Sequence, residues 1–224
     1  MRRATIAELL DTDSGSPSEV AASLRDLEWF NRWFGGVSTS TRLVQHVACK
    51  LDLQSLSLLE VASGAGYVPA TVTRNLRGQG TEVRTVLLDR VLSHIHCGFQ
   101  NGSKAVVGDA LSLPFADSSF DVVSSSLFTH HLSPEELTRF VNEGLRVCRR
   151  AVIINDLIRD PLHLATVYLG LPIYRSRITR HDAPASVRQA YTEAEMREIL
   201  SGTHTRNVEI ERHFFYRMGI VAWK

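Results

Sequence analysis

The stretch "LLEVASGAGYVPATV", residues 58–72, joins a buried strand to an apolar-patterned helical segment through a turn of small residues. Gly64 and Gly66 lie in that turn. A residue without a Cβ lets a ligand lie directly against the backbone. Because ligands of open α/β sheets bind at the carboxyl ends of the strands, this stretch predicts a nucleotide-type binding site.

The two common phosphate-binding patterns do not fit this turn. The dinucleotide fingerprint needs glycine at position 69, where the chain has Pro69, and the Gly-Lys pair of a phosphate loop is absent from the sequence. Glu60 precedes the turn instead. An ionised acid at this place favours a ligand with an ammonium group over a pyrophosphate, because opposite charges attract.

The chain from Leu58 onwards alternates short apolar strands with helical stretches, which is typical of βαβ units and a parallel sheet. The predicted strands cover residues 58–62, 83–88, 104–107, 120–126 and 151–155. Residues 204–223 add two alternating strands, which we expect to be antiparallel to each other. The sequence therefore predicts an α/β domain.

Two helices are predicted before this domain. Ser16, followed by Pro17 and Glu19, is typical of a helix start, and we expect that helix to end near Trp33. The stretch "STSTRLVQHVACKL", residues 38–51, has apolar residues at helical spacing and predicts the second helix.

We divide the chain into a helical attachment, residues 1–52, and a main domain, residues 53–224. Within the main domain, residues 157–190 interrupt the βα alternation and are interpreted as a helical insertion. Its last part, "TRHDAPASVRQAY" at residues 179–191, contains Pro184 and is interpreted as a polar break after an apolar segment.

Two more strands end in an acid. Asp89 ends the second strand in "VRTVLLDR", about 20 residues after the glycine turn, where a carboxylate accepts hydrogen bonds from the hydroxyls of a ribose. Asp109 ends the third strand in "AVVGDALSLPF", near the expected position of an adenine amino group. The glycine turn followed by these two acids indicates a nucleoside-containing ligand much more specifically than any one of the three features alone.

These residues resemble the class I S-adenosylmethionine-dependent methyltransferases, and within them the small-molecule branch, methyltransferase type 11, related to quinone-biosynthesis enzymes. "EVASGAGY" is similar to the family's acidic and glycine motif, "LLD" to its ribose motif, and "GDALSLPFADSSFDVVSSSLFTHHL" to its adenine motif and fourth strand. The resemblance covers roughly residues 56–156. One departure is Ala62, which stands where the family usually has the first glycine of the turn.

The resemblance implies a Rossmann-like three-layer sandwich, with a seven-stranded, mostly parallel sheet whose last strand is antiparallel. It also implies S-adenosylmethionine as cofactor and S-adenosylhomocysteine as product. Glu60 is expected to hold the amino end of the cofactor, Asp89 the ribose and Asp109 the adenine, with Ser125 next to the methyl group. The full set of predicted cofactor-binding residues is Glu60, Ala62, Ser63, Gly64, Gly66, Asp89, Arg90, Asp109, Ala110, Leu111 and Ser125.

His130 and His131 are the candidate catalytic residues, because an imidazole can take a proton from a hydroxyl near neutral pH. The alternative is that a histidine here only ties its loop to the backbone. Methyl transfer from a sulfonium also proceeds by alignment alone, without a base. Phe34, His130 and His181 are the predicted acceptor-binding residues, and the alternative for the segment around His181 is a capped turn.

Two apolar segments indicate the nature of the acceptor. Residues 29–34 contain four aromatic side chains, and residues 162–174 are rich in leucine and tyrosine. Ordinary helix core is one interpretation of both segments. The other is a lid over an apolar pocket, which predicts a hydrophobic or aromatic small molecule as the partner.

Composition excludes several other functions. The 25 basic and 24 acidic side chains give a formal net charge of +1, so no long-range field attracts nucleic acid or anionic lipid. The three cysteines are isolated and have no histidine-spaced partners, so we expect neither a disulfide framework nor a metal site. No run of about 18 apolar residues predicts a transmembrane helix, and a cytoplasmic location fits best.

We therefore predict a methyltransferase that transfers a methyl group in line to an apolar or aromatic small molecule, with oxygen as the predicted acceptor atom and carbon and nitrogen as alternatives. Two other classes stay open at this point. Pro69 argues against a nicotinamide-dependent oxidoreductase on the same sheet. The retained Asp89 and Asp109 argue against a non-catalytic binding module that has lost its cofactor, which Ala62 alone would permit.

Overall fold

The computed structural model describes residues 1–12, 14–98 and 104–224. Seven strands form one sheet in the order β3-β2-β1-β4-β5-β7-β6. The strands are β1 Ser55–Val61, β2 Glu82–Asp89, β3 Lys104–Val107, β4 Phe120–Ser126, β5 Cys148–Leu157, β6 Asn207–His213 and β7 Arg217–Trp223. The helices are α1 Pro17–Trp33, α2 Gly36–Lys50, α3 Tyr67–Arg77, α4 Leu92–Gly98, α5 Pro134–Val147, α6 Pro161–Gly170, α7 Arg177–Gln189 and α8 Glu193–Ser201.

The sheet topology confirms the predicted fold. Strands β1 to β5 pair in parallel, whereas β7 pairs antiparallel with both β5 and β6. The chain order reverses between the neighbouring strands β1 and β4. A crevice opens at such a reversal, beyond the carboxyl ends of the strands. The glycine turn after β1 therefore borders the place where this fold binds ligands.

Three helices begin with a complete capping box, as the sequence predicts. The pairs are Ser16 with Glu19 for α1, Ser133 with Glu136 for α5, and Thr192 with Glu195 for α8. In each pair the hydroxyl of the first residue accepts a hydrogen bond from the backbone amide of the glutamate. The glutamate carboxylate in turn accepts a hydrogen bond from the backbone amide of the first residue. Two otherwise unpaired backbone donors are satisfied at each helix start.

Apolar helix faces cover both sides of the sheet. On one side α5 and α8 bury residues such as Phe140 and Met196 against the strands. On the other side Val44 and Val47 of α2 pack with Leu76 of α3 against the strands. Helix α2, which falls in the predicted attachment, is thus part of the layer that packs on the sheet.

The predicted bounds of β3 and β4 match the structure, whereas β1 begins at Ser55 and β5 extends over Cys148–Leu157. The insertion predicted at residues 157–190 contains two helices, α6 and α7, and the polar stretch at its end forms most of α7 rather than a capped turn. Pro184 lies inside that helix and removes one backbone donor. Burial of Ile178 and Val187 offsets this loss. None of the described helices has the length and apolar character needed to cross a membrane.

Candidate active site

A cavity of about 590 Å³ lies beyond the carboxyl ends of the central strands. Its floor is made of the loops that follow β1, β2, β3 and β4. Its roof is made of residues 1–12, helix α1 and residues 157–190, and we use the word roof for these three segments. The cavity therefore connects the predicted cofactor loops with the predicted lid.

The glycine turn leaves open space at the floor. Gly64 has a φ of +52°, and a Cβ built on it would meet no atom within 4 Å. The hydroxyl of Ser63, also on the cavity wall, is buried and has no hydrogen-bond partner among the described residues. Gly66 differs, because a Cβ there would lie 2.7 Å from Leu87 Cδ1. Gly66 thus permits close packing on β2, whereas Gly64 leaves space for a ligand.

Ala62 lines the cavity and adopts a left-handed backbone conformation with a φ of 54°. This conformation costs an L-residue with a Cβ about 1–2 kcal/mol. Ala62, at the position where the resemblance implies a glycine, therefore carries local backbone strain.

Asp89 ties the glycine turn to the end of β2. Its Oδ2 accepts a hydrogen bond of 2.7 Å from the Gly64 amide, and its Oδ1 accepts one of 2.9 Å from the Val91 amide. The side chain is buried at the cavity wall. Each carboxylate oxygen has a second lone pair, so these bonds leave Asp89 able to accept from a ligand.

The loop after β3 forms the edge of the floor. Asp109 accepts a hydrogen bond of 2.9 Å from the Leu111 amide, which bends the loop around the cavity. Ala110 and Leu111 line the cavity beside it, and Arg90 lines it from the loop after β2. The structure thus brings four of the predicted cofactor-binding residues to one edge.

Glu60 lies in the middle of the floor and is almost fully buried. It is level with Ser124 on the neighbouring strand β4, whose hydroxyl donates to Glu60 Oε2. Burial raises the pKa of Glu60 to about 7, although hydrogen bonds from Ser124 and Ser126 oppose the shift. Ser126 lines the cavity, whereas Ser125 is buried off its wall. The cofactor contact assigned to Ser125 stays a prediction.

His130 lies on the short 3-10 turn after β4 and is only 2% exposed. Its Nδ1 is 2.7 Å from Asp156 Oδ1 at the end of β5. Its Nε2 faces the roof, 3.6 Å from Glu8 Oε1. Burial alone would lower the pKa of His130, but the charge of Asp156 and its hydrogen bond, with Glu8, raise it to about 10. The same pairing holds the pKa of Asp156 well below its usual range, against the effect of burial.

His131 lies beside His130, with ring centroids 4.2 Å apart. Its Nδ1 is 3.0 Å from Asp11 Oδ2, and its Nε2 is 3.9 Å from Glu8 Oε2. Burial would raise the pKa of Glu8 and of Asp11, but the two histidines lower both below the usual value. Glu8, Asp11, His130, His131 and Asp156 are called the acid–histidine cluster below.

An aromatic wall, consisting of Trp29, Phe30, Phe34 and Phe215, faces the cavity from the roof and the β6–β7 turn. The Phe34 and Phe215 rings are 4.6 Å apart, and the Trp29 and Phe34 rings 5.3 Å apart. Phe34 is therefore where an acceptor-binding residue is expected. His181 is half-exposed, bonds to Asp182 at 2.7 Å and does not line the cavity.

Comparison with known proteins identifies the fold family. Residues 59–154 match the family model described as a methyltransferase domain. A methyltransferase for plantazolicin, BpumL, solved in complex with SAH, superposes with a TM-score of 0.71 at 13% identity, over 97% of this chain and 94% of that one. This chain contains a methyltransferase domain, with the fold of S-adenosylmethionine-dependent methyltransferases. No curated protein sequence matches it significantly.

Two further solved methyltransferases share the fold. A SAM-dependent methyltransferase from Aquifex aeolicus has a TM-score of 0.54 and 17% identity, over 75% of this chain and 81% of that one. Magnesium protoporphyrin IX methyltransferase from Synechocystis, solved with bound SAM, has a TM-score of 0.52 and 12% identity, over 84% of this chain and 78% of that one. The BpumL superposition extends over more of this chain than either of these two.

The floor of the methyltransferase cavity fits S-adenosylmethionine. The open space at Gly64 admits a ligand against the backbone, and the unpartnered hydroxyl of Ser63 can bond to it. Three carboxylates, those of Glu60, Asp89 and Asp109, face the same space. They match a cofactor that carries an ammonium group and ribose hydroxyls.

The sequence analysis missed three acids of the acid–histidine cluster. Asp156 ends an apolar run, "AVIIND", as Asp89 ends "VLLD", so the same pattern could have revealed it. Glu8 and Asp11 have no such pattern around them. They reach the site because residues 1–12 lie across α7, where the amides of Leu9 and Leu10 donate to Asp182 at 2.9 Å and 3.0 Å.

Proposed function

We propose that this methyltransferase transfers the methyl group of S-adenosylmethionine to an oxygen of an apolar or aromatic small molecule. The observation that carries the proposal is the single cavity that runs from the glycine turn to the aromatic wall. Sites for small molecules are concave and largely apolar, with a few polar groups that fix orientation. The aromatic wall supplies the apolar part, and the acid–histidine cluster supplies the polar groups.

The cofactor is assigned to the floor residues. Gly64 and Ser63 would lie against it, Asp89 would accept from the ribose, and Glu60 would face its ammonium group. Asp109, with Ala110, Leu111 and Arg90, would surround the adenine. Gly66 supports this site through the turn rather than by contact, because its missing Cβ is required by Leu87.

The bound cofactor supplies an electrophilic methyl group on a sulfonium. The protein's own contribution is alignment of the acceptor oxygen with that methyl group, which by itself can account for a large part of a rate enhancement. The roof covers one side of the cavity and would limit the entry of water. Residues 1–12 are held there by Arg3, whose guanidinium donates to the carbonyls of His130 and Leu132 at 2.9 Å and 2.7 Å.

His130 and His131 remain the candidate catalytic residues. The charge and hydrogen bond of Asp156, together with Glu8, raise the pKa of His130 to about 10, which favours a protonated ring. In that state it donates a hydrogen bond through Nε2, and a base role requires loss of its proton first. Orientation of the acceptor hydroxyl is therefore the role that the geometry of His130 favours.

Structural neighbours also support an aromatic acceptor. BpumL has been solved with monoazolic and triazolic desmethylPZN analogs, and these two structures superpose over 91% and 96% of this chain. Azoles are flat aromatic rings, and the aromatic wall of this methyltransferase offers faces on which such a ring can stack.

The test compares phenols with anilines of the same shape, each incubated with S-adenosylmethionine and analysed by mass spectrometry. We expect methyl ethers from phenols and little product from anilines. Phe34→Leu should raise the KM for the phenol about 10-fold, because a stacking partner is lost. Phe214→Leu is the control, since Phe214 is exposed off the cavity. Methylated anilines with inert phenols would overturn the assignment to oxygen.

A further inference from the structure

We propose that Glu8, His130 and His131 form a binding site for one divalent transition-metal ion at the roof end of the cavity. The three residues are brought together from the N-terminal segment and the turn after β4. The sequence shows no metal-binding spacing, because Glu8 lies far from the histidine pair along the chain. The binding site stands on its own geometry, and only the role assigned to the ion rests on the proposed function.

The spacing of the donor atoms fits a single ion. Glu8 Oε1 lies 3.6 Å from His130 Nε2, Glu8 Oε2 lies 3.9 Å from His131 Nε2, and one donor atom from each residue falls within 4.8 Å of the others. Two tetrahedral ligands bound about 2.0–2.1 Å from a zinc ion are roughly 3.4 Å apart. Small side-chain adjustments would therefore bring all three donors to bonding distance.

The second nitrogen of each histidine is already bound to a carboxylate. His130 Nδ1 is 2.7 Å from Asp156, and His131 Nδ1 is 3.0 Å from Asp11. Asp156 is itself fixed by the Thr129 hydroxyl at 2.5 Å and by the His130 amide at 3.0 Å. Carboxylates that bind the far nitrogen of metal-binding histidines fix the ring and its tautomer. Both rings are thus oriented with Nε2 towards Glu8.

Glu8 is also held before any ion binds. Its Oε1 accepts from the Ser186 hydroxyl at 2.7 Å and from the Gln189 amide group at 3.0 Å. Both donors belong to α7, so the insertion positions a carboxylate of the N-terminal segment. A ligand set whose members are each fixed by neighbours needs little reorganisation to bind an ion.

The charges of the cluster favour a cation. Two buried carboxylates, Glu8 and Asp156, and the more exposed Asp11 surround two imidazoles. Buried carboxylates require a positive partner. A divalent ion bound by two neutral imidazoles contributes a charge of +2, the same as two protonated imidazoles without an ion. A metal ion and the two protons would therefore compete for the imidazole nitrogens.

The donor set selects the kind of ion. Two imidazoles and one carboxylate suit zinc and ferrous ions, whereas magnesium and calcium prefer oxygen ligands alone. Three protein ligands leave open positions, and the cavity adjoins all three. An ion here would polarise the hydroxyl of an acceptor. A protonated His130 cannot activate that hydroxyl as a base, so the ion would give the cluster a way to do so.

The experiment titrates chelator-treated full-length protein with zinc by calorimetry and with cobalt by absorption spectroscopy. Wild type should bind one equivalent, with cobalt bands typical of a nitrogen and oxygen ligand set. Glu8→Gln and Asp156→Asn should each weaken binding about 10- to 100-fold. His46→Asn is the control, because His46 pairs with Glu209 at 2.7 Å, away from the cavity.

Binding of S-adenosylhomocysteine verifies that each variant is folded. Zinc binding that Glu8→Gln leaves unchanged, or no saturable zinc binding by wild type, would overturn the metal site. A wild type that binds zinc but methylates no phenol would instead contradict the proposed function and leave the metal site standing.

Discussion

The floor and the roof of the cavity are built in different ways. The floor consists of the loops that directly follow β1, β2, β3 and β4, and its ligand space depends on backbone conformation at Ala62 and Gly64. At the roof, side chains from distant parts of the chain meet, as when Glu8 approaches His130. The geometry of the floor is therefore determined by residues close together in sequence. The geometry of the roof depends on packing between residues that are far apart in sequence. Substitutions should separate cofactor binding at the floor from acceptor handling at the roof.

The largest effect is expected from Gly64→Ala. A methyl group would enter the open space at Gly64, so the affinity for S-adenosylhomocysteine should fall about 100-fold, or about 2.7 kcal/mol. Gly80→Ala is the matched control, because Gly80 has a φ of +88°, equally open surroundings and no place on the cavity wall. Both variants carry the same kind of backbone strain. Equal affinity losses in calorimetric titrations of the two would show that strain, not the ligand space, is responsible.

Asp182→Ala tests the roof. The amides of Leu9 and Leu10 would lose their acceptor, so the free energy of unfolding should fall by about 2 kcal/mol and residues 1–12 should become sensitive to protease. Affinity for S-adenosylhomocysteine should stay unchanged. Asp160→Ala is the control, since Asp160 also accepts from two amides, at 2.8 Å and 3.3 Å, but only caps α6. Faster cleavage of residues 1–12 in the control would contradict the specific role of Asp182.

Glu60 should make stability depend on pH. Its pKa is raised from 4.5 to about 7 in the folded protein, so the folded state binds more protons than the unfolded state between these values. The free energy of unfolding should therefore fall as pH rises from about 4.5 to about 7. Glu60→Gln should remove this slope and raise stability at pH 8 by on the order of 1–2 kcal/mol. Denaturant titrations across this range measure it.

Glu82→Gln is the matched control for that measurement, because Glu82 is exposed and pairs only with Arg77 at the surface. Its stability profile should follow that of wild type. A slope that persists in Glu60→Gln would assign the pH dependence to another group.

The smallest effect is expected from Ala62→Gly. Release of the left-handed strain at Ala62 should raise the free energy of unfolding by about 0.5–1 kcal/mol, after the entropy cost of glycine is subtracted. The same exchange at Ala70, inside α3, should lower stability by a similar amount. Denaturant unfolding of the two variants gives the comparison, and a less stable Ala62→Gly would argue against strain in the turn.

The floor was largely predictable because its determinants are local. Apolar runs that end in an acid predicted Asp89 and Asp109, and both line the cavity. The bounds of β3 and β4, and the capping boxes, also follow from residues near one another in the chain. Local patterns carry this information because strand ends and helix starts are fixed by neighbouring backbone groups.

The roof was predictable only in outline. Its aromatic residues predicted an apolar lid, and Phe34 lines the cavity. Nothing near Glu8 predicts its contact with His130, because that contact depends on how residues 1–12 lie across α7. Pro184 shows the same dependence on long-range packing, because burial of α7 outweighs the local preference of proline against a helix interior.

The position of β7 has a consequence for synthesis on the ribosome. β7 pairs between β5 and β6, yet its residues follow the end of β5 by about 60 positions. At a translation rate of about 5–20 residues per second, synthesis of β7 begins roughly 3–12 s after β5 is complete. During that interval a strand in which seven of ten residues are buried in the folded protein presents unpaired backbone groups along one edge. The nascent chain is therefore most exposed to wrong pairing just before its sheet can close.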